Sequence, residues 1–586
     1  MNWLRPRFGG ENSLWAITSA AVVGLAGAFK LRQGLIDYLF TENFCYHSVR
    51  THSSAEPAAN CFSVSPSGLF TKVYHEPNLA GQTRTPDDGY VIPGLWDGHG
   101  HLLQYGEFLN SVDLFGSDSF EEIGLRVDTY LNAHPDAGSK DEWIRGVGWD
   151  QMALGRMPTA DDLAADERLK GLYIMLDRVD VHCIWVSQAI LDLLPADLPD
   201  VPGGEIVREP GMGVFCDNAM EMVMSIWPKP NDTKKQKFLH SAMTKLNEVG
   251  LVGMADAGVS PANAALYKEL AGTEDWTLRV YAMLECDERN TFCPEHAQKH
   301  VRDDGFLSLQ SVKLFADGAL GSWGSALIEP YSDRPDTSGS LLVNGSELAK
   351  VTKAWAEAGF QVNIHAIGDL ANRYAIDAMS GALELACPDE SLASCQSKRR
   401  FRIEHSQIIH PDDQTRMHAI GIIPSIQPTH ATSDMAYAEK RLGKDRTSKE
   451  AYRMHSFLDI NAILGSDFPV EPPDPFQGIY AAVTRKNPHT GQGTEDQPNG
   501  WYTNEKLSLD QALRGFSEAA AYGAFLNGKA GVIQEGAFAD WIVLDKPIEE
   551  TDIEDFRAFR VRETWVAGRR VYRRQDDGKK DEPAEL

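Results

Sequence analysis

The chain is short of basic residues. Its 56 lysines and arginines stand against 84 aspartates and glutamates, giving a formal net charge of −28 over 586 residues. That deficit argues against nucleic acid as a partner and against a polybasic membrane-binding surface. No long block of like charge occurs, so the acidity reads as a solvated exterior. No internal repeat occurs, which argues against solenoid and propeller architectures. Cysteine is sparse but even in number, at eight.

What is present fits a globular protein. The hydrophobic fraction is 42% and the charged fraction 24%, and the length allows a sizeable core and more than one domain. Arg5 and Arg7 precede an apolar stretch, Leu14 to Phe29, which Lys30 and Arg32 follow. A spanning helix needs ~20 apolar residues. We therefore expect an apolar helix over 10–32 that serves as a membrane anchor, with Lys30 and Arg32 reaching back to the interface. Ala26-Gly27-Ala28 also resembles a cleavage site, so a signal segment with secretion of the remainder is the alternative, and a plain amphipathic or buried helix a third reading. Positive charge flanks both sides equally and sets no orientation. Cys286 with Cys293 and Cys387 with Cys395 sit close together in loop-like segments. They are placed to close as disulfides in an oxidising lumen; eight buried thiols in a cytosolic enzyme is the competing reading. The expected placement is a single-pass protein with its larger part in the secretory lumen or outside the cell. Two glycosylation sequons, at Asn231 and Asn344, occur as often by chance and decide nothing.

Residues 41–90 read as short strands and turns. From 91 to 525, strand-like runs alternate with helical stretches. The strand candidates include YVIPG, WIRGVGW, LYIMLD, LVGMAD, LRVYAML, SVKLFAD, QVNIHAI, FRIEHSQ, GIIPSIQP and NAILGSD. Strand followed by helix, repeated, signals βα units around a parallel sheet. The expected fold is α/β, a (β/α)8 TIM-like barrel with insertions. Residues 195–230, rich in proline and glycine with a hairpin around Gly203 to Phe215, read as one insertion. Residues 526–574 return to strand character, and 575–586 read as a disordered tail. The strand-rich ends are each too small to fold alone, so they are expected to pair as one small β-sandwich.

Candidate chemistry lies at the ends of the strand-like runs. His99 and His101 in PGLWDGHGH are two apart, so in a strand both rings face one way and can reach one cation. Seventeen histidines make one His-x-His by chance unremarkable; its place at the end of an apolar run, beside Asp97 and glycines, gives it weight. His365 in VNIHAIGD and His405 in FRIEHSQ end successive βα units, and neutral imidazole suits zinc-like cations. Asp467 in AILGSDFPV offers a carboxylate that can ligate a cation and hold a proton; capping of a turn is the plainer role. Lys313 in SVKLFADGALGS fits beside a dication only if neutral or carboxylated on Nζ, since an ammonium would be repelled; a pairing with Asp317 is the alternative. The GALGSWGSAL segment that follows reads as a flexible loop over the site mouth. Trp323 and His430 fall in rim loops and are candidates for substrate contact.

The ordered set PGLWDGHGH, KLFADGALGS, NIHAIGD, RIEHSQ and LGSDFPVEP resembles the amidohydrolase superfamily, in particular its amidohydrolase family 3 branch, which includes N-substituted formamide deformylases. The likeness extends from about Asn43 to Tyr572. GAFADWIVLD and ETWVAGRRVY look like that family's returning sandwich strands. The resemblance implies that His99 and His101 bind the more buried metal and that Lys313 is an N-carboxylated bridge. It further implies that His365 and His405 hold a second metal and that Asp467 is both ligand and proton shuttle. By the same resemblance Asp180 and His182 lie near the substrate mouth. The expected cofactor is a divalent metal, zinc first, as one or two ions. The expected reaction is hydrolysis of a non-peptide carbon–nitrogen bond in a small amide-type substrate by metal-activated hydroxide. A deaminase or ester hydrolase on the same site, or a non-catalytic tethered barrel, are the alternatives. Assembly into a homo-oligomer is compatible with the sequence.

Overall fold

The computed structural model describes residues 40–55, 58–76 and 88–575. The apolar segment expected over 10–32 lies outside the described residues, as does the tail from 576 onward. Among the described residues no helix is long and apolar enough to cross a membrane.

Eight strands pair in parallel, in chain order, around a nearly closed barrel. They are β1 (Leu95–Gly100), β2 (Leu251–Val259), β3 (Arg279–Leu284), β4 (Leu307–Phe315), β5 (Gln361–Ala366), β6 (Arg402–His405), β7 (Ile423–Ile426) and β8 (Ile463–Leu464). The seam closes just past β8, where Phe468 bridges Gly100 in parallel and the Asp467 N–H donates to the His99 carbonyl at 2.7 Å. Close approach at this seam requires glycine. A Cβ on Gly98 would lie 2.1 Å from Ile463 Cγ2 and 2.7 Å from the Leu464 carbonyl oxygen.

Strand β5 explains how such a sequence builds a site. Val362, Ile364 and Ala366 join the core shared with the surrounding helices, among them Gly345–Glu357 and Asp369–Ala386. Gln361, Asn363 and His365 alternate with them and face inward, and all six residues are buried. Period-two alternation thus sends polar groups to the barrel axis and apolar groups to the helix layer.

Two of the expected barrel strands lie elsewhere. WIRGVGW and LYIMLD, at Ile144–Trp149 and Ile174–Arg178, belong to a separate six-stranded sheet with Val112–Asp113, Cys183–Val186, Gly204–Val207 and Val214–Asp217. A strand buried on both faces reads alike in either sheet, so periodicity does not separate them. The insertion between β1 and β2 therefore contains all of 112–217, well beyond the expected 195–230. Its hairpin, Gly204–Val207 against Val214–Asp217, is antiparallel. YVIPG is also not a barrel strand. Tyr90–Pro93 pairs antiparallel with Trp541–Leu544 inside a seven-stranded sheet drawn from both chain ends. That sheet packs Phe44, Phe62, Phe70 and Trp541 against one another. It is tied to the barrel by a buried bidentate pair, Arg279 on β3 donating to Asp540 at 2.6 and 2.9 Å.

All eight cysteines pair: Cys45–Cys61, Cys183–Cys216, Cys286–Cys293 and Cys387–Cys395. The last two close the short loops. The first two join facing residues of neighbouring antiparallel strands, partners that spacing along the chain does not reveal.

Candidate metal centre

The carboxyl ends of β1, β4, β5 and β6, with the segment after β8, bring the expected residues to one rim. Asp467 Oδ1 lies 3.3 Å from His99 Nε2 and 3.2 Å from His101 Nε2. Lys313 Nζ lies 3.3 Å from the same His99 Nε2. The His405 ring centroid is 4.8 Å from that of His99 and 4.5 Å from that of His365. His99, Lys313, His365, His405 and Asp467 are buried, and His101 is partly exposed. Simple alternation would send His405 outward after Glu404. His405 and Asp467 instead adopt positive φ, 75° and 62°, and this turn of the chain presents both to the mouth. Such strained conformations recur at functional sites.

The histidines are aimed by their second ring nitrogen. His99 Nδ1 lies 2.5 Å from Glu404 Oε2, and His405 Nδ1 lies 2.9 Å from Gln427 Oε1. Both partners are acceptors, so the proton resides on Nδ1 and the Nε2 lone pair faces the site. Burial, then the charge of Lys313, holds His99 well below the ordinary histidine range. Burial followed by neighbouring imidazoles does the same for His365 and His405. Burial raises the Asp467 carboxyl, and the neighbouring His99, His101 and His430 lower it. Burial lowers Lys313, against the pull of Glu404 and Asp467.

These donors fit a divalent cation. Neutral Nε2 atoms and an ionised carboxylate face one another, an arrangement of acceptors with little hydrogen bonding to offer. His365 Nε2, His430 Nε2 and Asp467 Oδ1 are buried without hydrogen-bond partners. At the rim, two groups have ligand atoms within 4.8 Å of one another: His99, His101 and Asp467, and His405, His430 and Asp467. His430 thus stands with the metal-type donors. It lies in a short helix, Pro428–Asp434, rather than a rim loop, with Nε2 3.7 Å from Asp467 Oδ2.

The inserted sheet supplies His182, whose ring lies 6.1 Å from that of His365. Its Nδ1 donates to Asp217 Oδ1 at 2.8 Å. Asp180 accepts from Arg178 at 2.7 and 2.6 Å and from the His182 backbone N–H. One alternative needs correction. Asp317 does not pair with Lys313; its carboxylate accepts the backbone N–H groups of Ala326, Ile367 and Gly368 at 2.8–3.0 Å. The Ala326 bond, with Ser325 Oγ donating to the Gly318 carbonyl, holds the glycine-rich segment in place in this structure. Trp323 is likewise engaged: its indole N–H donates to Asp333 at 3.1 Å, and the Arg441 guanidinium stacks 3.7 Å from its ring centroid.

Glu404, Arg402, Gln427 and Asp217 were not singled out from the sequence. Arg and Glu two apart inside a buried strand is a readable signal for the first two. Asp217 meets His182 across 35 residues and leaves no local mark.

The amidohydrolase family profile matches residues 87–572. A relative in Arabidopsis thaliana, Protein LONG AFTER FAR-RED 3, is 30% identical over 503 residues, covering 82% of each chain. The N-substituted formamide deformylase of Arthrobacter pascens is 24% identical, covering 83% of this chain and 88% of its own. In three dimensions an uncharacterized metal-dependent hydrolase from Pyrococcus horikoshii OT3 superposes with a TM-score of 0.69 at 23% identity, over 88% of this chain and 99% of its own. With the profile extending over residues 87–572, across the barrel and the C-terminal strands, the chain belongs to the amidohydrolase family.

Proposed function

We propose that this protein is a metal-dependent hydrolase that cleaves a non-peptide, amide-type carbon–nitrogen bond in a small molecule. One observation carries the reading: five metal-type side chains from distant strands, His99, His101, His365, His405 and Asp467, meet at one rim. Those residues would hold one or two divalent ions, zinc first, with His430 beside them. A cation so held lowers the pKa of water from ~15.7 towards ~7 and polarises a carbonyl. The buried Lys313 is the group we assign to N-carboxylation, which would convert a repelled amine into a further oxygen donor. Asp467, kept ionised, takes the proton of attacking water at Oδ2 and returns it to the leaving nitrogen. His182 projects over the mouth from the inserted sheet and contacts substrate. Resemblance to the deformylase favours an N-substituted amide. Complete pairing of the cysteines supports an oxidising lumen or the cell exterior as the place of work, with the N-terminal segment as anchor or signal.

A panel of N-acyl amines, formamides, amidines and esters, with products identified, tests the reaction class. We expect amide or formamide hydrolysis, and Asp467→Asn lowering kcat/KM by about 10²–10⁴-fold with the fold intact. Turnover confined to esters or amidines would overturn the assignment, as would full activity in Asp467→Asn.

A further inference from the structure

The geometry points to Glu404 and Arg402 as a buried positioning pair that sets how tightly His99 holds a metal. The inference rests on the metal-centre reading above. Both side chains are fully buried. They lie two apart on β6 and so face the barrel interior together. Glu404 Oε2 sits 2.5 Å from His99 Nδ1. An ionised carboxylate only accepts, so it fixes the imidazole as the Nδ1–H tautomer and leaves Nε2 as the sole free donor atom. Charge on that acceptor also strengthens the imidazole as a ligand.

A carboxylate at this depth needs a partner, and Arg402 is that partner. Its Nε lies 2.8 Å from Glu404 Oε1, and its terminal nitrogen donates to Oε2 at 3.1 Å. The same terminal nitrogen donates to the Gly98 carbonyl at 2.7 Å and to Ser425 Oγ at 3.1 Å. The guanidinium therefore links β6 to β1 and β7 directly beneath the metal-type residues. Gly98 is the residue before His99, so Arg402 fixes the backbone of the strand whose side chain Glu404 aims. With Glu404 engaged by both Arg402 and His99, its role is orientation, and we do not count it among the metal ligands.

The experiment uses the full chain. Zn²⁺ affinity is measured by competition with a chelating indicator for the wild type, Glu404→Gln and Glu404→Asp, with circular dichroism as a control on folding. We expect Glu404→Gln to bind Zn²⁺ about 10–100-fold more weakly. Glu404→Asp, which keeps the charge but shortens the reach, should fall between. Unchanged affinity in a folded Glu404→Gln overturns the inference. Should the variants fail to fold, the wild type labelled with ¹⁵N-histidine decides. His99 must show a proton on Nδ1 both with and without added Zn²⁺, and an Nε2–H tautomer in the Zn²⁺-free protein contradicts the pair's role. A wild type that takes up no Zn²⁺ sinks the metal-centre reading instead, and the tautomer still judges Glu404.

Discussion

Three imidazoles at the mouth, those of His99, His405 and His182, each direct one nitrogen inward because the other is held by an acceptor. For His182 that acceptor is Asp217. Burial alone would lower His182, but the hydrogen bond and charge of Asp217, with the charge of Asp180, raise it above the ordinary histidine range. The sign for stability follows. The pair's contribution is complete below the unfolded histidine value of about 6.5 and is lost as pH rises through the raised folded value. Asp217→Asn should shift the His182 titration, followed by the imidazole C–H resonance, to lower pH; an unmoved titration would show that Asp217 does not hold the charge. At this scale the sequence was legible where chemistry is local. His99, His101, His365, His405, Lys313 and Asp467 were read from strand ends, and they converge. The parts that escaped depend on backbone turns or distant partners. Positive φ at His405 and Asp467 reorients both, and Asp217 reaches its histidine only through the folded hairpin.

Among the elements, the seam between β1 and β8 decides whether the rim residues meet, since Asp467 is held to His99 through the backbone. Gly98 has no room for a methyl group beside Ile463 and the Leu464 carbonyl. Gly98→Ala should therefore destabilise the fold by about 1–3 kcal/mol or more, seen as a lower thermal midpoint, with weaker Zn²⁺ retention alongside. A midpoint equal to the wild type would mean that the seam relaxes freely and is not what sets the rim. The helices were legible from their residue pattern: SELAKVTKAWAEAG and DLANRYAIDAMSGALELA form Gly345–Glu357 and Asp369–Ala386. The strands were legible as strands but not by sheet. WIRGVGW and LYIMLD carry the same fully buried pattern as barrel strands, so only tertiary pairing assigns them.

Across the whole molecule, a barrel, an inserted sheet and a sheet from both chain ends serve one rim. The inserted sheet brings His182 to that rim. The end sheet braces the barrel through Arg279 and Asp540, a pair whose members are both buried. Four disulfides fasten strands and loops, one of them, Cys183–Cys216, directly beside His182 and Asp217. Everything in the functional reading depends on the rim holding a divalent ion. The most direct measurement is the metal content of the full chain, purified without chelators from zinc-replete medium, for the wild type and for His405→Ala. The wild type should retain about one or two equivalents of divalent metal per chain, and a folded His405→Ala should retain less. A wild type that carries none and takes up none on addition of Zn²⁺ would contradict the account.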